Sequence, residues 1–571
     1  MIFCRQMAIV RNIERDPDKG VNHDEDLKKT GSYGSVEDVI LRKSGQTLRE
    51  LQNPAALNPG YVEHIEHAAW TVQAALAENR PIWIVGDYDA DGVTATAILC
   101  KLFSFLGFKA STIIPKRFSD GYGVSTALVA GVRDSLLITV DNGITAIDAI
   151  AAAKSAGNTV VILDHHLPGA ELPPADVIVD PHLPGDQSLY RDYCGAGLAY
   201  KLAEYMCMGR KRADISQLFT DLTVLAALGT LADVVPLTGD NRRIVKAGLS
   251  ILNNRKSYLK LSAGIRTIIA LAEPPYDEES ISYTIAPVIN AAGRLYNAGS
   301  TSTLKALLST NQRDAVAYAG MMCEINDKRK QMVRGWTEAA FQIAVSQADN
   351  PILTIYLPGI PEGIIGIVAG KLTEEFKRPA FVFCKAVGGE GIIKGSGRSY
   401  GVFDLSKALD AVRSLTKAAG GHAGAAGLTA AEKDLPALCS GIQEFGRTHA
   451  VISCEDALLY DLEIREEDIP ALIKKLKALA PFGEGVEKPV FVIQRFHCSN
   501  RFGHPFKMMG RGKEHIRLKG TKCDAVGFGL AGVYARLGYP ETIDLLGTVG
   551  ENTYHGSTSL QFQILDMRLP A

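Results

Sequence analysis

The sequence predicts an α/β protein in which a lobe with a mostly parallel sheet is joined by a long helix to a smaller α/β lobe, followed by a small β-barrel. The chain has 571 residues and is 46% hydrophobic, which suits about three or four domains. From Pro81 onward, short apolar runs alternate with Ala-rich amphipathic stretches, as in βαβ units. Beyond about residue 450, short strand-like segments follow one another, as in small barrels.

The amino-terminal part is divided into a lead-in and the first lobe. Residues 1–34 are interpreted as a variable lead-in, because the stretch from Arg11 to Gly34 is charged and rich in turn-forming residues. The first lobe is predicted over residues 35–302. Its expected strands are Ile82–Val85, Leu136–Val140, Val160–Leu163 and Val177–Val179.

Three further segments complete the predicted order. A connecting helix is expected over residues 303–348, because this stretch is rich in Ala, Lys, Arg and Glu and has no Pro or Gly cluster. The second α/β lobe is expected over residues 349–448 and the barrel over residues 449–571. The expected barrel strands are Pro489–Gln494, His515–Leu518, Ala525–Phe528, Ile543–Gly547 and Leu560–Leu565.

Charge and cysteine content argue against several classes of protein. The formal net charge of −2 argues against a protein surface that is uniformly basic and binds nucleic acid everywhere. A polyanion must therefore be bound by local basic patches or by metal. The ten cysteines form no Cys-x-x-Cys pair, which indicates reduced thiols in the cytosol. No uninterrupted apolar stretch is long enough to span a bilayer, and the amino terminus lacks a signal-peptide layout. We therefore expect a cytoplasmic protein without a membrane partner.

Acidic and imidazole side chains follow several of the expected strands. In open α/β sheets, ligands bind at the carboxyl ends of the strands, so these side chains are expected to converge on one crevice. Carboxylates with a few imidazoles suit Mn²⁺ and Mg²⁺, and a pair of such ions favours in-line displacement at phosphorus. The side chains are Asp87, Asp89 and Asp91 after the first strand, Asp141 after the second, Asp164, His165 and His166 after the third, and Asp233 after a later apolar stretch.

Each of these motifs has other interpretations when taken alone. The run from Asp87 resembles an EF-hand loop, but Ile98 stands at the twelfth position, where that loop needs an acid. Residues 89–94 resemble the nucleophile loop of haloacid-dehalogenase phosphatases, which leaves Asp141 and the two histidines unexplained. The Asp-His-His triplet is also compatible with a helix cap and two surface histidines, and Asp233 with a simple cap.

Taken together, the motifs resemble the DHH phosphoesterase superfamily and, within it, the RecJ-type single-stranded-DNA-specific exonucleases. The resemblance is collinear from about residue 80 to the end of the chain. The matching segments are 85–93 (VGDYDADGV), 140–144 (VDNGI), 163–166 (LDHH), 194–198 (CGAGL), 231–237 (LADVVPL), 287–295 (PVINAAGRL), 363–369 (GIIGIVA), 394–399 (KGSGRS) and 420–427 (GGHAGAAG).

The resemblance implies two divalent metal ions, Mn²⁺ or Mg²⁺, and a role for each residue of the crevice. The implied ligands are Asp89, Asp91, Asp141, His165 and Asp233, with Asp141 bridging the ions and Asp87 either binding a metal or supporting a ligand. His166 is expected to contact the scissile phosphate or the bridging water. Asp164 is expected to orient an imidazole, as carboxylates behind metal ligands do.

The second lobe resembles the DHHA1 domain, and its glycine-rich loops expose backbone N–H groups that suit phosphate oxygens. Tight backbone packing is the alternative explanation for these glycines. The resemblance places Arg398 and His422 among the catalytic residues. The substrate-binding residues that it implies in this cleft are Asn290, Arg294, Ser396, Ser399, Gly420 and Gly421.

The third region resembles the oligonucleotide-binding (OB) barrel of the same family, entered through residues 480–485 (APFGEG). Basic residues there are interleaved with Phe496, Phe502 and Phe506, an arrangement that suits single strands, although a charge run is often only a solvated face. The residues expected to bind DNA are Phe502, Lys507, Arg511, Lys513 and Arg517. The chain departs from the family pattern at Ile360-Pro361-Glu362 and at Val486, two places that the resemblance connects with recognition of the terminal nucleotide.

The expected function is a 5′→3′ exonuclease that releases 5′-mononucleotides from single-stranded DNA, in repair or recombination. A single-strand-binding protein and a helicase are the partners that this role suggests, and a monomer is expected. One alternative is a DHH phosphodiesterase acting on short oligoribonucleotides or cyclic dinucleotides, which generally lacks the third domain. Another is a non-catalytic DNA-binding scaffold of the same fold, whose relatives lose metal ligands that this chain keeps.

Overall fold

The computed structural model describes residues 27–121, 123–297, 299–449, 458–499, 504–510, 512–554 and 557–570. The described chain forms two compact units. The amino-terminal unit contains Arg49–Met332 and Gly483–Gly485. The carboxyl-terminal unit contains the described residues up to Leu48, together with Val333–Phe482 and the described residues from Val486 onward.

Helices and strands alternate along much of the chain. Up to the middle of the chain they are β1 (Leu27–Lys29), α1 (Val36–Ser44), α2 (Leu48–Gln52), α3 (Ile65–Ala77), β2 (Ile82–Gly86), α4 (Ala90–Phe105), β3 (Ala110–Ile113), α5 (Thr126–Val129), β4 (Leu136–Val140), α6 (Ile147–Ser155), β5 (Thr159–Leu163), β6 (Val177–Val179), α7 (Gly195–Met206), α8 (Arg212–Asp233), α9 (Gly239–Asn253), α10 (Arg255–Tyr258), α11 (Ala263–Ile269), a π-helical segment (Ser280–Ile285), α12 (Ala286–Leu295), α13 (Gly299–Leu308) and α14 (Gln312–Val345).

The remaining elements belong to the carboxyl-terminal unit. They are β7 (Leu353–Tyr356), α15 (Glu362–Phe376), β8 (Ala380–Lys385), β9 (Ile392–Arg398), α16 (Leu405–Ala411), β10 (Thr416–His422), β11 (Ala425–Ala431), α17 (Leu435–Thr448), β12 (Leu458–Tyr460), β13 (Leu462–Glu463), α18 (Ile469–Leu479), β14 (Phe491–His497), β15 (Phe506–Met509), β16 (His515–Lys519), β17 (Asp524–Gly527), α19 (Ala531–Arg536), β18 (Thr542–Tyr554) and β19 (Ser557–Arg568).

A five-stranded parallel sheet forms the centre of the amino-terminal unit, in the order β3-β2-β4-β5-β6. Strand β4 is buried along its whole length, as expected for a parallel strand covered on both faces. The register pairs Gly86 with Val140 and Val140 with Leu163. The strands β2, β4 and β5 therefore end side by side, which brings the residues that follow them to one edge.

Helix α8 is more apolar than the sequence pattern predicted. Its length and composition would allow it to cross a membrane, but 67% of its most apolar window is buried inside the protein. Its Asp221 is buried and forms an ion pair with Lys101 at 2.8 Å. These features are typical of the core helix of a globular unit.

The predicted connecting helix is interrupted. Helix α13 ends at Leu308 and α14 begins at Gln312, so the expected single helix over residues 303–348 is two helices. At the break, the Asn311 side chain accepts a hydrogen bond from the Arg313 backbone N–H at 2.8 Å, as capping residues do. The stretch has no Pro or Gly cluster to mark this break, which depends on the single capping residue Asn311. The division between the two units falls within α14.

Two sheets form most of the carboxyl-terminal unit. A five-stranded sheet has the order β10-β11-β9-β8-β7, in which only β7 and β8 run parallel. A seven-stranded sheet has the order β13-β14-β18-β19-β17-β16-β15. The short strands predicted for the region beyond residue 450 belong to this second sheet.

The amino-terminal segment differs from the predicted lead-in. Strand β1 pairs in parallel with β12, and the Thr30 hydroxyl donates to Asp461 over 2.5 Å. Lys43, in α1, forms an ion pair with the same buried carboxylate at 2.7 Å. Residues 27–48 therefore pack with the carboxyl-terminal unit, whereas the first lobe was expected to begin at residue 35. Residues 1–26 of the lead-in lie outside the described part of the chain.

Candidate metal centre

Acidic and imidazole side chains gather at the carboxyl edge of the parallel sheet. Asp87, Asp141 and Asp164 each follow directly after a strand of that sheet. Asp141 has φ of 61°, a left-handed conformation that turns the chain away from the strand. Its backbone N–H still bonds the carbonyl of Leu163 at 2.9 Å, which keeps the two strand ends together. The edge predicted from the sequence is therefore the place where these residues meet.

Ligand atoms of neighbouring residues lie within 4.8 Å of one another in three overlapping groups. His165 connects two of them, because its Nε2 lies 3.0 Å from Asp141 Oδ1, 3.7 Å from Asp233 Oδ2 and 3.9 Å from Asp91 Oδ2. Asp141 connects the third. The groups are Asp141, His165 and His166; Asp91, His165 and Asp233; and Asp87, Asp89 and Asp141.

Burial makes this cluster electrostatically unfavourable without a cation. Burial raises the pKa of Asp87, Asp141 and Asp233 well above the usual range, and the neighbouring aspartates act in the same direction. Among the described residues, Asp87 Oδ1 is buried without a hydrogen-bond partner. Oxygen ligands with one imidazole are a donor set that suits Mn²⁺ and Mg²⁺. The residues present therefore fit a divalent metal centre.

The two adjacent histidines have different environments. Burial lowers the pKa of His165, which favours the neutral imidazole that binds metals. Burial also acts to lower the pKa of His166, but the hydrogen bond to Asp164 and the negative charges of Asp164, Asp233 and Asp87 together outweigh it, and the pKa rises to about 9. His166 Nδ1 lies 2.7 Å from Asp164 Oδ1. While no metal is bound, His166 therefore holds its proton more strongly than an ordinary histidine does, next to the acidic cluster.

Asp164 orients its neighbours. Its carboxylate accepts hydrogen bonds from the backbone N–H of Ile144 at 2.9 Å and of His165 at 2.8 Å. Burial acts to raise the pKa of Asp164, but the hydrogen bond and charge of His166 bring it below the usual value. The expected orienting role is consistent with these contacts.

Asp233 reaches the cluster from a helix. It is the last residue of α8, and Val234 caps that helix with φ of 62°, in the left-handed region. The sequence pattern placed Asp233 after an apolar stretch without deciding between a strand and a helix. The helix brings its carboxylate to the carboxyl edge of the sheet.

Helix α12 contacts the segment of residues 87–91, which we call the acidic loop. The side-chain Oδ1 of Asn290 accepts a hydrogen bond from the Ala90 backbone N–H at 2.8 Å, so this atom of Asn290 holds the loop. Arg294, one turn later, lies near enough to Tyr88 for its charge to act on that phenol. Substrate contacts for Asn290 and Arg294 stay predictions.

The sequence pattern did not predict Arg117, which also faces the acidic loop. Its guanidinium lies 4.0 Å from the centre of the Tyr88 ring, a cation–π geometry. Its positive charge also acts on Asp87, and its Nε is buried without a hydrogen-bond partner in the described structure. A basic residue shortly after β3 is a weak signal, because such residues are common at strand ends.

In the carboxyl-terminal unit, several predicted residues lie on neighbouring strands. Arg398, Ala425 and His422 occupy one cross-strand row of β9, β11 and β10, and Ser396, Gly427 and Gly420 occupy the row two positions along, on the same face of the sheet. Arg398 donates to the Ser396 hydroxyl at 3.1 Å. A methyl group at Gly366 of α15 would approach Arg398 Nη2 to 2.7 Å, so the helix packs closely on this row.

The other predicted residues of this five-stranded sheet have structural contacts. The Ser399 hydroxyl donates to the Phe403 carbonyl. His422 Nδ1 accepts from the Gly424 backbone N–H at 3.1 Å, and its side chain is exposed. Gly421 has φ of 144°, and a Cβ there would approach the Ala425 carbonyl to 2.4 Å, so tight packing explains this glycine. Phosphate binding by these residues stays a prediction.

The seven-stranded sheet carries part of the predicted basic surface. Lys507 of β15 pairs with Arg517 of β16, so both side chains lie on one face. Arg517 lies 3.9 Å from Asp524, whose negative charge partly offsets the positive charge of the guanidinium. Lys513 is exposed. Phe496 is 1% exposed and cannot stack on a base, which corrects that expectation. Phe502 and Arg511 lie outside the described residues.

Comparisons with known proteins assign the chain to a family. Three family models match it: the amino-terminal domain of the DHH family over residues 81–230, the DHHA1 domain over residues 349–447 and the RecJ OB domain over residues 460–566. A single-stranded-DNA-specific exonuclease RecJ from Haemophilus influenzae is 31% identical, and the match covers 91% of this chain and 93% of that protein. The chain belongs to the RecJ family.

Other RecJ relatives agree with this assignment. The RecJ protein of Bacillus subtilis is 32% identical over 89% of this chain, which spans 64% of that protein. A crystal structure of RecJ in complex with Mn²⁺ from Thermus thermophilus matches with a TM-score of 0.76 and 26% identity, over 94% of this chain and 76% of that one. The predicted resemblance and the predicted fold class are confirmed.

A second solved structure carries the same kind of ion. A crystal structure of exonuclease RecJ bound to manganese matches with a TM-score of 0.59 and 30% identity, over 70% of this chain and 100% of that one. Another RecJ structure from Thermus thermophilus contains Mg²⁺ and matches with a TM-score of 0.70. Both ions predicted for the acidic cluster therefore occur in structures of the RecJ family.

Proposed function

We propose that this protein is a metal-dependent exonuclease that degrades single-stranded DNA from the 5′ end and releases 5′-mononucleotides. The observation that carries the proposal is the set of overlapping ligand groups at the carboxyl edge of the parallel sheet. The group of Asp91, His165 and Asp233 adjoins the group of Asp87, Asp89 and Asp141, because His165 Nε2 lies 3.0 Å from Asp141 Oδ1, so two cations would lie side by side. This arrangement suits two-metal hydrolysis of a phosphodiester. Membership of the RecJ family supports single-stranded DNA as the substrate.

The proposed ligands are Asp89, Asp91, Asp141, His165 and Asp233, with Asp87 as a further ligand or a supporting carboxylate. When bound, two divalent ions supply a hydroxide nucleophile and stabilise charge on phosphoryl oxygens. The remaining catalytic roles are proposed for side chains of the protein. His166, hydrogen-bonded to Asp164, donates a hydrogen bond to a phosphoryl oxygen. Asp164 fixes the orientation of that imidazole.

Further cationic residues are proposed to bind the rest of the substrate. In the amino-terminal unit, Arg117 and Arg294 bind phosphate oxygens beside the acidic loop, because guanidinium groups form paired hydrogen bonds with phosphate. In the carboxyl-terminal unit, Arg398 and His422, with the strands around them, bind a phosphate of the strand. Lys507, Lys513 and Arg517 bind the backbone farther along the strand.

The test uses Asp141→Asn, which keeps the shape of the side chain and removes a shared ligand. We expect release of labelled mononucleotides from 5′-labelled single strands in Mn²⁺ to fall by about a thousandfold, because several kcal/mol of charge stabilisation are lost. Asp214→Asn, at an exposed position on the same helix as Asp233, is the control and should keep activity. Normal activity of Asp141→Asn would contradict the site assignment.

The same assay separates this proposal from its rivals. A phosphodiesterase for small substrates would cleave a short oligoribonucleotide or a cyclic dinucleotide faster than a long DNA strand. A non-catalytic scaffold would bind single strands without metal-dependent turnover. Strands labelled at the 3′ end should yield a ladder of shortened products, and blunt duplexes should resist cleavage. Early release of the 3′-terminal nucleotide would contradict the proposed direction.

The cellular setting is part of the same proposal. We place the protein in the cytoplasm, in DNA repair or recombination, as a monomer. Because the enzyme needs single strands, a helicase that opens duplex DNA and a single-strand-binding protein are its proposed partners. Mass determination in solution and pull-down with purified partners would test these points.

A further inference from the structure

Two glycines, one of them in the first turn of a helix, pack closely around the Asp91 carboxylate. We propose that these two glycines position the metal ligands and set the preference of the centre for its ion. We call Gly195 and Ala196, the first two residues of α7, the clamp turn. The second glycine is Gly229 of α8. This proposal rests on the proposed function, because the clamp turn acts on the acidic cluster described above.

The clamp turn holds Asp91 by both carboxylate oxygens. The Gly195 backbone N–H donates to Asp91 Oδ2 over 2.6 Å, and the Ala196 backbone N–H donates to Oδ1 over 2.9 Å. N–H groups in the first turn of a helix have no acceptor within the helix and lie at its positive end. Asp91 is 1% exposed, so water cannot replace these donors. Backbone atoms therefore fix the orientation of this carboxylate.

The clamp turn also touches a second proposed ligand. A Cβ atom at Gly195 would lie 2.5 Å from the Cβ of Asp141 and 3.0 Å from its Cγ. The absence of a side chain thus lets the backbone of α7 pack directly on Asp141. The same turn locates Asp91 by hydrogen bonds and Asp141 by contact, and His165 Nε2 lies within 4 Å of both carboxylates.

Gly229 of α8 packs against the same carboxylate and against the clamp turn. A Cβ atom there would lie 2.6 Å from Asp91 Oδ1 and 2.5 Å from the Cβ of Ala196. Helix α8 therefore packs closely against both the Asp91 carboxylate and the clamp turn. Gly229 lies one turn before Asp233, so the helix that carries one proposed ligand also confines another.

This confinement has a consequence for metal choice. Backbone atoms of α7 contact both Asp91 and Asp141, so even small displacements of this helix turn would change the ligand geometry. Mg²⁺ requires near-ideal octahedral geometry, whereas Mn²⁺ binds mixed oxygen and imidazole sets more strongly. A methyl group added at Gly195 or Gly229 should therefore weaken Mg²⁺ binding more than Mn²⁺ binding.

The experiment is calorimetric titration of Mg²⁺ and of Mn²⁺ into the full-length protein without DNA. For Gly195→Ala we expect Mg²⁺ affinity to fall by about 10- to 100-fold, as when groups behind metal ligands are changed, with a smaller fall for Mn²⁺. Gly229→Ala should give the same pattern, and it also serves if Gly195→Ala fails to fold. The ratio of exonuclease activity in Mn²⁺ to that in Mg²⁺ should rise in parallel.

A matched control separates positioning from overpacking. Gly248→Ala, in α9, places a methyl group 2.5 Å from the Cβ of Ala227, an equally close clash away from the ligands. This variant should lose stability but keep both metal affinities. If Gly195→Ala and Gly229→Ala bind Mg²⁺ as tightly as the wild type, the positioning role is wrong while the proposed function stands. If the wild type binds neither ion, the proposed function fails and the clamp turn loses its role with it.

Discussion

Replacing Asp141 by Asn should make the metal-free protein more stable while it removes activity. The oxygen atoms of Asp141, Asp87 and Asp89 come within 4.8 Å of one another. At that distance two unit charges repel by about 3.5 kcal/mol with an effective dielectric constant of about 20. Proton uptake by the cluster relieves part of this repulsion, so we expect the free energy of unfolding to rise by about 1–3 kcal/mol.

The assay is thermal unfolding of wild type and variant at neutral pH, in chelator and in Mn²⁺. In chelator the variant should unfold at a temperature several degrees higher, since 1 kcal/mol shifts the midpoint of a unit of this size by about 2–4 °C. Mn²⁺ should stabilise the wild type more than the variant, because binding to the folded state alone adds stability. A variant that unfolds earlier than the wild type in chelator would refute the repulsion argument.

Three further predictions concern other parts of the molecule. Asp240 is buried and bonds Tyr193 and Lys201 at 2.8 and 2.9 Å, so Asp240→Asn should cost about 3–5 kcal/mol of unfolding free energy at neutral pH. Arg117→Ala should lower kcat/KM on single strands by about 10- to 100-fold, because a charged hydrogen bond is lost. Lys507→Ala should weaken single-strand binding and reduce the slope of log affinity against log salt by about 0.7.

The pH dependence of stability provides the check on the Asp240 prediction. Burial acts to raise the pKa of Asp240, but hydrogen bonds from Arg243 and Lys201 lower it below the usual value. A lowered pKa gives stability above the unfolded value, near 4, and loses it as pH falls through the folded value. The gap to Asp240→Asn in urea unfolding should therefore persist from pH 7 to about 5 and shrink below about 4. A constant gap would contradict the ion-pair explanation.

Matched surface variants control the two binding predictions. Arg133→Ala, at an exposed position of the amino-terminal unit, should leave kcat/KM unchanged. Lys407→Ala, whose side chain is 71% exposed in α16, should leave the salt slope of single-strand binding unchanged. Equal effects of Arg117→Ala and Arg133→Ala would remove Arg117 from the substrate site. Equal salt slopes for the Lys507 and Lys407 variants would remove Lys507 from the DNA-binding surface.

The sequence alone predicted the parallel sheet and most of the acidic cluster. Apolar runs of strand length that alternate with amphipathic stretches encode local structure, and parallel strands place their carboxyl ends on one edge. Asp87, Asp141 and Asp164 directly follow such strands, so their meeting required no knowledge of tertiary packing. The family motifs extended this prediction to Asp233 and to the second lobe.

Only the tertiary structure decided how distant segments meet. Nothing in the local pattern around Gly195 or Gly229 indicates that both would confine Asp91, about a hundred or more residues earlier in the chain. The pairing of β1 with β12 and the burial of Phe496 were likewise absent from the pattern. Periodicity specifies which face of an element is buried but not which partner covers it, because side-chain fit among non-adjacent elements selects the partner.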